Sequence, residues 1–282
     1  MTGRAGARWG ALCVALLAAA SWSRPAVAQP AAPQGWQFTW STGTVVKGQT
    51  VPQSVMVFDV AIWRGAARVT VRSGPLRAMT GEAGAILLRD ADSVLTVVNP
   101  VRREALVATL GELSAMMSGT GALRLLVEDV TSVMRPGSAG APLDRYPTRR
   151  VQLDQRYTMR ISAQQMQRVL RVADETTLDL SAAVSALDPG FRAFADQFLR
   201  SLGKPSAVRV ALRAREARLP AGVPLRSRIV SVTVTDGDSL RSETVGTMSA
   251  LRRVVIDTAG FAVPADYRRT EVRRLLQPSR QP

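Results

Sequence analysis

The chain has 282 residues, with 37 Lys and Arg against 22 Asp and Glu, a formal charge of +15, no histidine and a single cysteine, Cys13. Without histidine there is no Ser-His-Asp or Cys-His route to an activated nucleophile, and the commonest zinc and copper ligand is missing. Lysine occurs only as Lys47 and Lys204, so the charge is almost wholly arginine, dispersed or paired as in Arg149-Arg150 and Arg252-Arg253, unlike the basic, aromatic-laced tracts that bind nucleic acid.

Arg4 and Arg8 precede an apolar run, Gly10 to Ala20, and Ala26-Val27-Ala28 follows as a small-x-small exit. A charged start, a short apolar stretch and such an exit predict a secretory signal over 1–28, cleaved after Ala28. The apolar stretch is too short to span a bilayer, so no transmembrane span is expected in the mature chain. These features predict a periplasmic or secreted protein. Cys13 would leave with the signal, and its place early in the apolar run, after Leu12, does not suit a lipidation cysteine. The mature chain would then hold no disulfide and no thiolate. Losing Arg4, Arg8 and Arg24 leaves 34 cations against 22 anions, or +12.

Residues 29–35 read as a flexible lead-in rich in proline and alanine. From Trp36 the pattern has period two. Trp36, Phe38 and Trp40 share one strand face, and Met56, Phe58, Val60 and Ile62 share another within Ser54 to Trp63. Short strands follow at Ala67 to Arg72, Ala85 to Arg89, Val94 to Val98 and Glu104 to Leu110. Arg64-Gly65, Ser73-Gly74-Pro75, Asp90 to Ser93 and Asn99-Pro100 supply the turns. Such spacing predicts an antiparallel meander. Gly111 to Gly121 reads as a short helix and loop, Leu123 to Met134 as a long strand, and Arg135 to Pro142 as a break.

Thr148 to Ile161 resumes as a strand. Gln164 to Leu180 is ambiguous, because Gln and Met favour helix while Val169, Val172, Thr176 and Thr177 favour strands. Ala182 to Leu202 carries Leu187, Phe191, Phe194, Phe198 and Leu202 at spacings of three and four, an apolar helical stripe. Asp188 with Pro189 would start that helix and Gly203 would end it. A basic helix is expected over Ser206 to Arg218. Pro224 to Thr235 and Leu240 to Ile256 then form a hairpin around Asp236-Gly237. A closing segment holds Phe261, Val263, Pro264 and Tyr267, and 271–282 reads as a frayed tail.

The segments ILLRDADSVLTVVNPVRREALV (Ile86 to Val107), GKP (Gly203 to Pro205), GVPLRSRIVSVTV (Gly222 to Val234) and FAVPADY (Phe261 to Tyr267) carry a resemblance. In this order they resemble a group of exported bacterial proteins of unknown function, similar to the lipoprotein-carrier superfamily of LolA, LolB and the sigma-regulator RseB. The resemblance implies a mainly β (α+β) fold, a curved antiparallel half-barrel sheet with two or three helices packed in or across its mouth. It implies a concave apolar face of the kind that holds acyl chains. The carriers' own lipid and receptor residues have no counterpart here, and no catalytic residue is carried over.

Two acidic turns, Asp90 to Ser93 and Asp236 to Ser239, lack the oxygen count and clinching Glu of a calcium loop and read as hairpin chemistry. Ser201 and Lys204 match S-x-x-K, but Gly203 interrupts the helix and no partner motif appears. Neither a metal nor a cofactor is expected, and no catalytic residue. The remaining candidate is the face of Trp36, Phe38, Trp40, Met56, Phe58, Val60 and Ile62. It either forms ordinary core under a plug of Phe191, Phe194 and Phe198, or lines an apolar pocket. The sequence therefore predicts one β-rich domain over 36–270. Its expected role is non-catalytic binding of a lipid, acyl chain or other amphiphile. The alternative is an envelope protein that binds a protein or polysaccharide partner through an arginine-rich surface.

Overall fold

The computed structural model describes residues 32–89, 94–109, 112, 123–163, 166–199, 208, 211 and 219–272. The chain divides into the units Met1–Ala32 and Pro33–Pro282. Only Ala32 of the first is described, so the expected signal lies outside the described residues. Gln34 and Gly35 of the lead-in already belong to the first strand.

The second unit is mainly β. Its strands are β1 (Gln34–Val46), β2 (Gln49–Thr50), β3 (Met56–Trp63), β4 (Ala66–Ser73), β5 (Ala85–Arg89), β6 (Leu95–Asn99) and β7 (Glu104–Ala108). Then come β8 (Leu123–Ala139), β9 (Arg149–Ala163), β10 (Met166–Ser181), β11 (Val223–Thr235), β12 (Asp238–Val255) and β13 (Arg268–Glu271). They form one sheet in the order β13-β7-β6-β5-β4-β3-β1-β12-β11-β10-β9-β8, with β2 paired to β1. The sheet is open, with β13 and β8 at its two ends. Every pairing is antiparallel except β13 with β7.

Local chemistry explains the hairpins. Lys47-Gly48, Arg64-Gly65 and Asp236-Gly237 all have positive φ at both positions, from 46 to 90°. Each is a two-residue connection of the kind whose twist matches the flanking strands, with glycine second, where left-handed backbone costs least. The expected hairpin at Asp236-Gly237 is one of these.

Three expectations change. From Met166 on the ambiguous segment is strand β10, paired to β9 over Met166 to Leu180 and to β11 from Arg171 on; β-branched residues flanked on both sides outweigh the local helix preference of Gln and Met. The break expected over Arg135 to Pro142 begins only after Ala139, because a register shift between Arg135 and Ser138 absorbs Pro136 and Gly137 within the strand. Ala182 to Leu202 is not one helix. It is a short turn, α1 (Ala182–Ser185), then α2 (Gly190–Ala193), which runs into a π-helical stretch, Phe194–Phe198. Pro189 separates the two pieces. Asp188 does serve the start, since its Oδ1 accepts from the N–H of Gly190 at 2.8 Å and of Gly65 at 2.7 Å. Gly203 and most of Ser206 to Arg218 lie outside the described residues.

One further short helix spans Arg77–Thr80 after β4. The closing segment forms a 3-10 turn, Thr258–Phe261, whose Phe261 ring stands 5.8 Å from that of Trp63. β13 continues to Glu271, and Val272 is fully buried in the core.

Candidate functional site

The structure brings the sequence-predicted residues together on one sheet face. Register places Trp40 opposite Phe58 and Phe38 opposite Val60 across β1 and β3. Phe38, Trp40, Phe58, Val60 and Ile62 are at most 3% exposed, while Trp36 and Met56 are partly buried at the margin. What covers them is the helical stripe. Phe191, Phe194 and Phe198 are all 0% exposed. Phe191 stacks on Phe38 at 5.7 Å, Phe194 meets Phe38 edge-on at 5.2 Å, and Phe198 meets Phe58 edge-on at 5.1 Å. Of the two arrangements the sequence leaves open, these side chains stand in the filled one.

Two glycines permit the close fit. A Cβ on Gly190 would lie 2.5 Å from the Ala66 carbonyl oxygen, so α2 could not approach the β3–β4 hairpin so closely. A Cβ on Gly246 would lie 2.6 Å from the Trp40 ring, so only glycine lets that ring lie over β12.

The opposite face is polar. Rows of side chains cross it at right angles to the strands, because register aligns Arg150, Asp179, Arg226 and Thr247 on β9, β10, β11 and β12, and Gln152, Thr177, Arg228 and Val245 beside them. These residues, with Glu175 and Ser227, line a groove of about 420 Å³. Arg150 Nε donates to Asp179 at 2.9 Å, and Arg228 grips Glu243 with Nε and one terminal nitrogen at 2.8 and 2.9 Å. Hydrogen bonding to these carboxylates raises both guanidinium pKa values further, and the Arg228 hydrogen bond holds Glu243 below the ordinary carboxylate range. Farther along the face Arg135 is paired to Asp154 and Arg160 to Glu128. Arg226, Arg156, Arg171 and Arg241 share this face and stand in no ion pair among the described residues. Strand alternation carries this pattern, and it was illegible without register, since the arginines come from five strands, β8 to β12.

Among the described residues no group of three or more His, Cys, Asp or Glu could hold a metal ion. The acidic turn at Asp236 accepts a hydrogen bond from the Thr235 hydroxyl at 3.3 Å, while Asp90 to Ser93, Ser201 and Lys204 lie outside the described residues. No helix is long and apolar enough to cross a membrane.

No known family matches the chain, and no curated protein matches it. Among solved structures it is similar to PNGF-II, at 9% identity and a TM-score of 0.37, over 86% of this chain and 33% of that one. The chain thus spans about a third of that protein's length. A similarity of this size establishes no shared activity, and it does not point to the lipoprotein-carrier superfamily.

Proposed function

We propose that the protein is a non-catalytic exported binding protein whose arginine-bearing sheet face holds an acidic envelope polysaccharide. The observation that carries this reading is the groove across β9 to β12. It crosses four strands at about 4.8 Å spacing, so it suits an extended chain better than a compact ligand. Three guanidinium groups stand there among Gln152, Thr177 and Thr247, outnumbering the lining carboxylates Glu175 and Asp179, which suits a polymer of carboxylates and hydroxyls. Arg226 lines the groove without an acid partner among the described residues, and Arg156, Arg171 and Arg241 extend the cationic face beyond it. The signal over 1–28 would deliver the protein to the periplasm or beyond.

The half-barrel curvature and the kinship with the lipoprotein-carrier group belong to the same proposal. In this reading the inherited apolar face serves as core. An acyl-chain reading requires the phenylalanine stripe to leave that face. The π-helical stretch favours it, since π turns recur at functional sites.

Titration of the protein with alginate, a polyuronate, tests the proposal by calorimetry, with neutral dextran as comparator. Binding should be specific to alginate and weaken as salt rises from 50 to 300 mM, as exposed charge pairs do. Arg226→Glu should weaken it at least tenfold. Absence of alginate binding, or indifference to Arg226→Glu, overturns the groove reading. Uptake of a fluorescent fatty acid by the unmodified protein would favour the acyl-chain reading instead.

A further inference from the structure

One row on the apolar face is polar from end to end. Register sets Ser132, Gln155, Asp174, Ser231 and Ser242 side by side on β8 to β12, on the face that carries Trp40 and Met248. Gln155 is 1% exposed, and Asp174 and neighbouring Thr176 are each 6% exposed. Among the described residues neither amide atom of Gln155 nor the Thr176 hydroxyl has a hydrogen-bond partner. Among the described residues the Asp174 carboxylate accepts only from the Tyr157 hydroxyl, at 3.2 Å, a neutral donor for a buried carboxylate. Buried polar groups are almost always paired, and a charge taken from water needs an opposite charge or several donors.

We propose that this row binds a small organic ammonium bearing an adjacent oxygen, an amino alcohol or amine headgroup of the ethanolamine type. The three N–H groups of an ammonium match the acceptors Asp174, Gln155 Oε1 and Thr176 Oγ1. The ligand's own oxygen accepts from Gln155 Nε2. A bare metal ion leaves that Nε2 unpaired, and one carboxylate with two neutral oxygens falls short of the six to eight oxygens that calcium takes. A neutral polyol leaves the charge of Asp174 without a counter-charge among the described residues. Half-buried Ser231 and Ser242 continue the row beyond the buried centre and offer hydroxyls to the rest of the ligand. The site is independent of the groove, which lies on the other face.

Calorimetry on the full chain at pH 7.5 and constant ionic strength tests this, with ethanolamine as the probe and glycerol and calcium chloride as comparators. Ethanolamine should bind saturably and at least tenfold more tightly than glycerol. Asp174→Asn should weaken it at least tenfold, Thr176→Val should weaken it in the same direction should the first variant not fold, and Arg226→Glu should leave it unchanged. Absence of ethanolamine binding, equal binding of glycerol or calcium, or undiminished binding in both row variants overturns the proposal. The row then holds only trapped water.

Discussion

Replacing Phe194 by alanine removes the ring at the centre of the buried stripe. That ring is 0% exposed, 5.2 Å from Phe38, 6.3 Å from Trp40 and 5.7 Å from Phe198. Buried Phe→Ala changes cost about 3–5 kcal/mol, because lost transfer free energy adds to the cavity left behind. The position deserves the upper half of that range: three aromatic neighbours lose edge or face contacts worth about 0.5–1.5 kcal/mol per pair beyond area. For a domain of this size the loss lowers the melting temperature by about 8–20 °C, at about 2–4 °C per kcal/mol. Urea unfolding followed by tryptophan fluorescence measures it directly, with Trp40 beside the deleted ring as a reporter. The midpoint should fall while the slope with urea stays constant, since the surface exposed on unfolding barely changes. A loss below about 1 kcal/mol would refute the reasoning. It would mean that the stripe does not seal the sheet, and the face would be open to a ligand.

Asp188→Ala deletes the acceptor for two N–H groups, those of Gly65 and Gly190, and so unties α2 from the β3–β4 turn. A loss of about 1–3 kcal/mol is expected from a charged acceptor serving two donors, with Asp188→Asn recovering most of it, both read by urea unfolding. Tyr157 lies beside Asp174, and burial first, then the charge and hydrogen bond of Asp174, raise its pKa from the ordinary value of 10.0. A raised folded-state value means that the stabilisation is fully present below pH 10 and is lost as pH climbs toward the folded-state value. Urea midpoints measured from pH 8 to 11 should fall at the alkaline end, and Tyr157→Phe should remove that part of the fall. An identical alkaline profile in the variant would contradict the assignment.

Much of the sheet was legible because its signals are local. Alternating Trp36, Phe38 and Trp40 need only a period of two, and Asp236-Gly237 needs only two residues to define its turn. The stripe of Phe191, Phe194 and Phe198 was likewise readable, although Pro189 and the π turn divide a segment that periodicity alone joins. Register is different. Arg150, Arg226 and Arg228 line one groove because β9, β10 and β11 align at particular residues, and one step of slip would send each side chain to the other face. The polar row was hidden for the same reason. Gln155 and Asp174 each sit in an ordinary alternating strand, and only their pairing shows five polar side chains abreast among apolar neighbours. Continuation of β8 through Pro136-Gly137 was masked by residues that elsewhere end strands, since a bulge tolerates both.

β1 is the seam of the sheet, held by β3 on one side and by β12 on the other. On one flank β3 to β7 follow as neighbours in sequence; on the other β12 back to β8 do the same. Each meander can zip from its own hairpins, but Gln34 must wait for Val255 before its row is complete. Long-range pairings of this kind fold slowly and leave an unpaired edge exposed meanwhile. A nascent chain shorter than about 255 residues therefore carries Phe38 and Trp40 on a strand with one bare side. Late closure makes that side of β1 the place where a second copy would pair most readily during synthesis.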